Sequence, residues 1–469
     1  MEGVFVMRKE YLVCCLPLET KVRDFDPRLY LALMCIKNGM LSLIGSKSGV
    51  HMHMFKLKKP FVYVSKGIGV SDIPLYKKIR LSGGLVTALD EEGGVYPKDS
   101  KTTIRRNNDT VLEYLDFLFM WGENQKDKLL KHARNITDDR IIVSGHPRFD
   151  LCKPLFHDYF RDVGNAKNKA GSKYVLVNTN FSRGNPFLSF KEELAIRKKL
   201  LNPDYYNDLD EELIAYYQKL LFHYFADAVK NLSLRYPEIL FIVRPHPGES
   251  LSYARKVYGE MPNIRVLREG SVQEWIADAL FVIHHDCTTA IEAFLSGKNV
   301  ISYCPIFDEK YAQELPIEIS EVVKTQDELV DTVEQTLQLI DGRGGVKTMR
   351  ERELLIKKII ANVDFSAAEI IVKELIERCE KANFDFQFTE MSKGEEMLNL
   401  MSEKIYWRFQ NLAPFNKRQS LRSFDKFPGI TYAEIKSRIA AFRENDKTIP
   451  PVSILQLSKD TFYLSGKKE

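Results

Sequence analysis

Residues 281–305 read FVIHHDCTTAIEAFLSGKNVISYCP. The stretch resolves into an apolar run, Phe281–His285, a polar turn, Asp286–Thr289, and a short helical piece, Ala290–Ser296; a Gly-Lys turn and a second apolar run, Val300–Cys304, follow. Unbroken apolar runs of this length suit strands buried on both faces, and a helix between two of them makes a parallel βαβ unit. A strand that ends in Asp286-Cys287-Thr288-Thr289 and opens a helix is expected to present free backbone N–H groups and two hydroxyls, an arrangement suited to a phosphate. Upstream, the run Ile239–Val243 ends in Arg244-Pro245-His246-Pro247. The prolines stiffen that turn, so Arg244 and His246 project at a fixed angle from the carboxyl end of a strand. In an open parallel sheet that edge is where ligands bind.

The same alternation extends outward. Tyr11–Leu16, Leu41–Ile44, Phe61–Val64, Leu85–Leu89, Phe117–Trp121 and Ile141–Val143 are strand-sized apolar runs, with amphipathic stretches such as Arg28–Lys37 and Asn124–Ala133 between them. After the first run, Glu19, Lys21 and Arg23 are placed to meet a substrate, although a solvated loop is the commoner reason for such charges. Residues 153–173 lose periodicity and read as an interdomain linker. A second α/β region starts at Tyr174. It contains a polar insertion, Phe187–Leu209, expected as a lid, and a long helix, Glu211–Arg235; Thr325–Asp341 and Met349–Asn362 are expected as closing helices. Beyond about residue 380 the chain becomes basic and Phe-rich, with weak helical pieces at Gly394–Arg408 and Tyr432–Asn445. The expected domains are 1–155, 172–345 and 346–469, the last comprising closing helices and a helical appendage that packs back on the body.

Composition narrows the class. The 469 residues are 44% apolar and 28% charged, with a net charge of +4, which is ordinary for a soluble globular protein and too mild to imply nucleic acid. No apolar run is long enough to span a bilayer, and the N-terminus lacks a signal-peptide pattern. The seven cysteines show neither a CxxC pair nor metal-ligand spacing, so they read as reduced, buried residues of a cytoplasmic protein with no metal site.

Each polar strand end has a plainer reading beside its functional one. Arg244 needs a carboxylate or a bound phosphate, because an unpaired buried cation is costly. Asp286, Thr288 and Thr289 serve equally as helix caps, and Glu292 as the partner of Thr289 in a capping box. Asn180, Ser182 and Arg183, in the run Asn178-Thr-Asn-Phe-Ser-Arg-Gly184, form a weaker phosphate-loop candidate, since neither GxGxxG nor GxxxxGK[ST] occurs. Asp90-Glu91-Glu92 ends a strand with three adjacent carboxylates, whose repulsion favours a raised pKa and hence a general base or nucleophile; a solvated acidic turn is the alternative. His146 and Arg148, in Ser144-Gly-His-Pro-Arg-Phe-Asp150, end another strand. His51 and His53 read as structural. These strand ends together point to a nucleotide-linked sugar as ligand.

LDEEG at 89–93, FMWGENQKDKL at 119–129, SGHPRFD at 144–150, NTNFSRGN at 178–185, RPHP at 244–247 and HHDCTTAIEAFLSGKNVISY at 284–303 together resemble bacterial surface carbohydrate biosynthesis proteins, a glycosyltransferase-B-like group. The likeness spans about residues 10–380 and rests on the combination. RPHP and the Asp-x-Thr-Thr-x-x-Glu-Ala element also look like those of CDP-glycerol glycerophosphotransferases and capsular Kdo transferases. The resemblance implies that Arg244, His246, Asp286, Thr288 and Thr289 hold the phosphate of a cytidine nucleotide, with Glu292 near the ribose. It also implies a catalytic carboxylate at an acidic-Gly element, here Asp90-Glu91-Glu92-Gly93, although the Gly-Val-Tyr that follows departs from the relatives' pattern.

The expected protein is therefore α/β, with two Rossmann-like domains facing a cleft (glycosyltransferase-B architecture) and a C-terminal helical appendage. It is read as a metal-independent glycosyltransferase of surface polysaccharide (capsule or lipopolysaccharide) biosynthesis that moves a sugar, an ulosonic acid from a CMP-activated donor, to a glycan or lipid-linked glycan acceptor. Glu91 is the first choice of base or nucleophile, followed by Asp90, Glu92 and His146. No cofactor beyond the nucleotide-sugar substrate and no nucleic-acid partner is expected; the cytoplasmic location is compatible with peripheral association with the inner membrane. The alternatives are a CDP-polyol phosphotransferase, a UDP-hexosamine epimerase and a non-enzymatic assembly scaffold.

Overall fold

The computed structural model describes residues 12–91, 93, 108–164, 166–171, 173–200, 208–259, 261–340, 350–381 and 426–467. These fall into two compact units, one of 12–90, 110–119, 368–381 and 426–467, the other of 91–109 and 120–367 less the gaps just given. Glu92, Tyr205, Tyr206, the piece Gly394–Arg408 and the aromatic residues between 384 and 415 lie outside the described residues.

In the first unit β1 (Val13–Leu18), β2 (Leu41–Ser46), β3 (Phe61–Ser65), β4 (Leu85–Leu89) and β5 (Phe117–Met120) run parallel in the order β2-β1-β3-β4-β5. The order reverses between β1 and β3, where a crevice opens at the carboxyl edge. Its charges are paired: Lys66 Nζ lies 2.6 Å from the buried Asp24 and 3.4 Å from Glu19. Lys21 donates to the Gly429 carbonyl and to Glu434, both at 2.7 Å, so it holds the C-terminal helix Tyr432–Asn445. Arg23 pairs with Asp24 at 3.0 Å.

The expectation of a wholly helical appendage is corrected at its end. After the helix Tyr432–Asn445, residues Val452–Ser458 and Thr461–Gly466 form an antiparallel hairpin, β13 and β14, and β14 pairs antiparallel with β2. Gly45 and Gly49 admit it, since a Cβ on the first would overlap the Asp460 carbonyl oxygen and on the second the Thr461 hydroxyl.

The second unit carries β6 (Ile141–Val143), β7 (Tyr174–Asn178), β8 (Leu240–Arg244), β9 (Ile264–Val266), β10 (Val282–His284), β11 (Val300–Tyr303) and β12 (Glu321–Val323). Six of these form one parallel sheet in the order β12-β11-β10-β7-β8-β9. Counted from β7, this is the doubly wound order 3-2-1-4-5-6 read from β9 to β12, with its reversal between β7 and β10. Strand alternation divides the core. Val175, Val177, Phe241 and Val243 face the long helix Asp208–Arg235 through Phe222, Phe225 and Val229, whereas Tyr174, Leu176, Leu240 and Ile242 pack with Trp275, Ile276 and Ile291. The 153–173 stretch is not an open linker: His157–Gly164 is a helix that buries Tyr159 and Phe160 and packs on the helix Val272–Asp278. Its polar composition masked two aromatics one residue apart.

Candidate functional site

The β7/β10 crevice gathers polar side chains from both strand ends. Asn178 Nδ2 donates to Thr289 Oγ1 at 3.0 Å, and the Asn180 side chain hydrogen-bonds Asp286. Burial pushes the Asp286 carboxyl up, opposed by His285, the Gln313 N–H at 3.2 Å and Asn180. Arg244 is the register partner of Asn178 on β8, so the Arg-Pro-His-Pro turn opens beside the crevice.

Two of the expected phosphate donors also have partners within the chain. Arg244 donates from its terminal nitrogens to the Glu269 and Gly270 carbonyls at 2.6 and 2.9 Å, its guanidinium lies 5.7 Å from the Trp275 ring centroid, and burial, opposed by Glu274, pulls its pKa down to about 10. The helix Thr289–Leu295 is only seven residues long, and the N–H groups of Ala290 and Ile291 already donate to the Cys287 and Thr288 carbonyls at 3.0 and 3.1 Å. Thr288 occupies the N-cap position with αR backbone angles and makes no side-chain cap bond.

His246 keeps a useful orientation. Its Nδ1 accepts the Gly248 N–H at 3.0 Å, which places the proton of the neutral ring on Nε2. Ser182 sits against the same turn, since a Cβ on Gly248 would meet the Ser182 Cβ at 3.0 Å. Arg183 is directed elsewhere: its Nε pairs with Glu211 at 3.0 Å.

The acidic strand end behaves differently from a solvated turn. Glu91, His146, Arg148 and Glu292 are each 3% exposed or less and form one cluster. His146 Nε2 lies 3.2 Å from Glu91 Oε2, Arg148 Nη2 lies 3.0 Å from the same oxygen, and Arg148 Nε lies 3.4 Å from Glu292 Oε1. Trp121 covers the group, 5.6 Å from the His146 ring and 5.9 Å from the Arg148 guanidinium. The run Ser144–Asp150 is shaped to place these side chains. Gly145 has φ +78°, His146 Nδ1 accepts the Arg148 N–H at 3.0 Å, and Asp150 Oδ1 accepts Asn362 Nδ2 at 2.8 Å and the Ala367 N–H at 2.9 Å. Because Nδ1 is an acceptor, the neutral His146 ring carries its proton on Nε2, which lies near Glu91 without hydrogen-bond geometry. Glu292 thus lies with Glu91 rather than in a capping box, about one helical turn from Thr289. Asp90, 6% exposed, ends the preceding strand.

His284 and His285 point to opposite faces of β10. The fully buried His284 donates from Nε2 to Ser320 Oγ at 2.8 Å, because that hydroxyl itself donates to the Pro316 carbonyl. Burial pushes His284 down to about 3 and, in the first unit, His51 down to about 4. Between those values and the ordinary histidine range the unfolded chain binds protons that the folded chain refuses. Stability should therefore fall as pH drops from about 6.5 toward 4. Urea midpoints over that range should show it, with a shallower slope in His284→Gln.

Among the described residues no group of three or more His, Cys, Asp or Glu side chains is arranged to hold a metal ion, and no helix is long and apolar enough to cross a membrane.

Sequence reasoning passed over Glu249 and Arg268, which tie the edge loops together. Glu249 is a lone charge distinguished only by its place two residues after the Pro-His-Pro turn, and Arg268 is one of an adjacent Arg-Glu pair in a polar loop. No family model and no curated protein matches the chain. Solved structures of similar architecture include a UDP-GlcNAc 2-epimerase of Methanocaldococcus jannaschii in complex with UDP-GlcNAc and UDP, with 13% identity over 78% of this chain and 99% of that one and a TM-score of 0.48. An S. aureus MnaA–UDP co-structure gives 13%, 78%, 96% and 0.46 in the same order, and the wall teichoic acid polymerase TagF 10%, 81%, 91% and 0.47. The strand orders of the two units, rather than these likenesses, carry the assignment of an α/β fold with two Rossmann-like parallel sheets.

Proposed function

We propose that the chain is a nucleotide-dependent transferase whose second unit holds an activated sugar or polyol at the β7/β10 crevice. The observation that carries this reading is the reversal of strand order at β7/β10, with Asn178, Asn180, Asp286 and Thr289 converging on it. Open α/β sheets bind ligands at that place, outside the carboxyl ends of the strands. In this reading His246, through its Nε2 proton, and the hydroxyls of Thr288 and Ser182 face the phosphate. Arg244 braces the loop behind them. Fixed donors aimed at the departing phosphate would favour the transition state by preorganised electrostatics.

Within that class the reading is a glycosyltransferase of glycosyltransferase-B architecture, taking a CMP-linked ulosonic acid to a glycan acceptor. Glu91, oriented by His146 and Arg148, is its base or nucleophile. A CDP-polyol phosphotransferase would use the same crevice, and the group gained by the acceptor separates the two.

A thermal-shift screen with CMP, CDP, UDP and GDP tests the ligand class. His246→Ala should weaken binding of the best of these by about 10- to 100-fold, the value of a hydrogen bond to a charged group at about 1.5–3 kcal/mol. Titration calorimetry that finds equal affinities for parent and variant would place the phosphate elsewhere.

A further inference from the structure

Glu249 is fully buried and follows the Pro-His-Pro turn on the loop after β8. Its Oε1 accepts from Thr179 Oγ1 at 2.8 Å, the Phe181 N–H at 3.1 Å and the His246 N–H at 3.0 Å, and its Oε2 from Asn185 Nδ2 at 3.3 Å. Thr179, Phe181 and Asn185 belong to the loop after β7, and His246 to the loop after β8. One carboxylate therefore fastens two edge loops, which also meet through the Phe187 N–H on the Gly248 carbonyl at 3.3 Å and the Ser250 N–H on the Asn185 carbonyl at 2.9 Å. Arg268, on the loop after β9, adds the third: its Nε donates to the Pro245 carbonyl at 3.2 Å, and its Nη2 to those of His246 and Glu249 at 3.0 and 2.7 Å. A buried carboxylate is retained only when its lone pairs are satisfied, and here four donors from two loops do so.

We infer that Glu249 is a positioning residue: it sets the geometry of Asn180, Ser182 and His246 toward the nucleotide without touching it. This rests on the proposed reading of the crevice. Oriented groups lose their effect when displaced by as little as about 1 Å, so the carboxylate acts through the loops it holds. Glutamine keeps the Oε1 acceptor and its three donors. It loses only the Asn185 contact, the longest of the four, while Asn185 Nδ2 keeps its bond to the Ser250 carbonyl at 3.3 Å. Alanine loses all four bonds.

The test compares parent, Glu249→Gln, Glu249→Ala and Thr179→Val. Affinity for CMP, CDP, UDP and GDP is measured by calorimetry well below every melting temperature, and hydrogen exchange is followed without ligand in 178–186 and 244–250. Glu249→Ala should bind the preferred nucleotide more than about tenfold more weakly, with Glu249→Gln within about threefold of the parent. Thr179→Val, altered in one loop, should raise exchange in the other loop, 244–250. Parent-like affinity in a folded Glu249→Ala, or equal losses in the Gln and Ala variants, would overturn the proposal. Should Glu249→Ala not fold, Thr179→Val decides: unchanged exchange across 244–250 overturns it. A parent that binds none of the four nucleotides sinks the functional reading, and the tie between the loops then stands or falls on exchange alone.

Discussion

Arg148→Met should lower the stability of the second unit by about 3–5 kcal/mol, the effect of removing one member of a buried ion network. Arg148 is the cation shared by two carboxylates, Glu91 Oε2 at 3.0 Å and Glu292 Oε1 at 3.4 Å, all three nearly excluded from solvent. Methionine fills much of the volume but leaves both carboxylates inside a low-dielectric region without that charge. The loss should therefore come from the stranded acids, more than from the missing attraction. Two further variants separate these causes. Arg148→Met with Glu91→Gln and Glu292→Gln should recover most of the stability, because neutral amides replace the uncompensated charges. Glu91→Gln alone, with Arg148 still paired to Glu292, should be milder. Denaturant unfolding followed by a probe in the second unit measures all three; a triple variant no more stable than Arg148→Met would show that the cluster matters by shape and not by charge.

Gly45→Ala and Gly49→Ala should both loosen the C-terminal hairpin, by about 1–3 kcal/mol as overpacked sites do, but only one should be rescued. A Cβ on Gly49 meets the Thr461 hydroxyl at 1.9 Å and the rotatable Ser46 hydroxyl at 2.9 Å, so adding Thr461→Ala removes the main obstruction and should restore most of the parent's behaviour. A Cβ on Gly45 meets the Asp460 carbonyl oxygen and Thr461 Cα, which are backbone that no substitution takes away. The β2–β14 ladder, Thr461↔Gly45 through Leu464↔Ser42, would have to part at its first pair. Proteolysis between 446 and 466 should accelerate in Gly45→Ala with or without Thr461→Ala, and in Gly49→Ala only without it. Rescue of both, or of neither, would contradict the packing.

The acidic turn shows how local pattern and tertiary context divide the work. Alternating apolar runs and helical stretches were enough to give both parallel sheets and their polar carboxyl edges, because strand burial and helix amphipathicity are written every few residues. They also named Glu91, His146, Asp286 and His246 as edge residues. What each donor meets is not local. Arg244 turns to two backbone carbonyls, and Glu292 turns to Arg148 rather than to a cap, since these choices depend on loops many residues away.

The hairpin escaped for a different reason. Leu455 is exposed on the outer strand, so its run shows no clear buried face, while β14 takes its order from contact with β2 at the far end of the chain. By itself, the sequence determined that this protein is an α/β chain with polar, charged strand ends in two regions. The tertiary structure alone decided which of those ends share a buried charge cluster, which line the β7/β10 crevice and which brace the loops. Satisfaction of buried donors and acceptors is a property of three-dimensional neighbours, and no spacing along the chain encodes it.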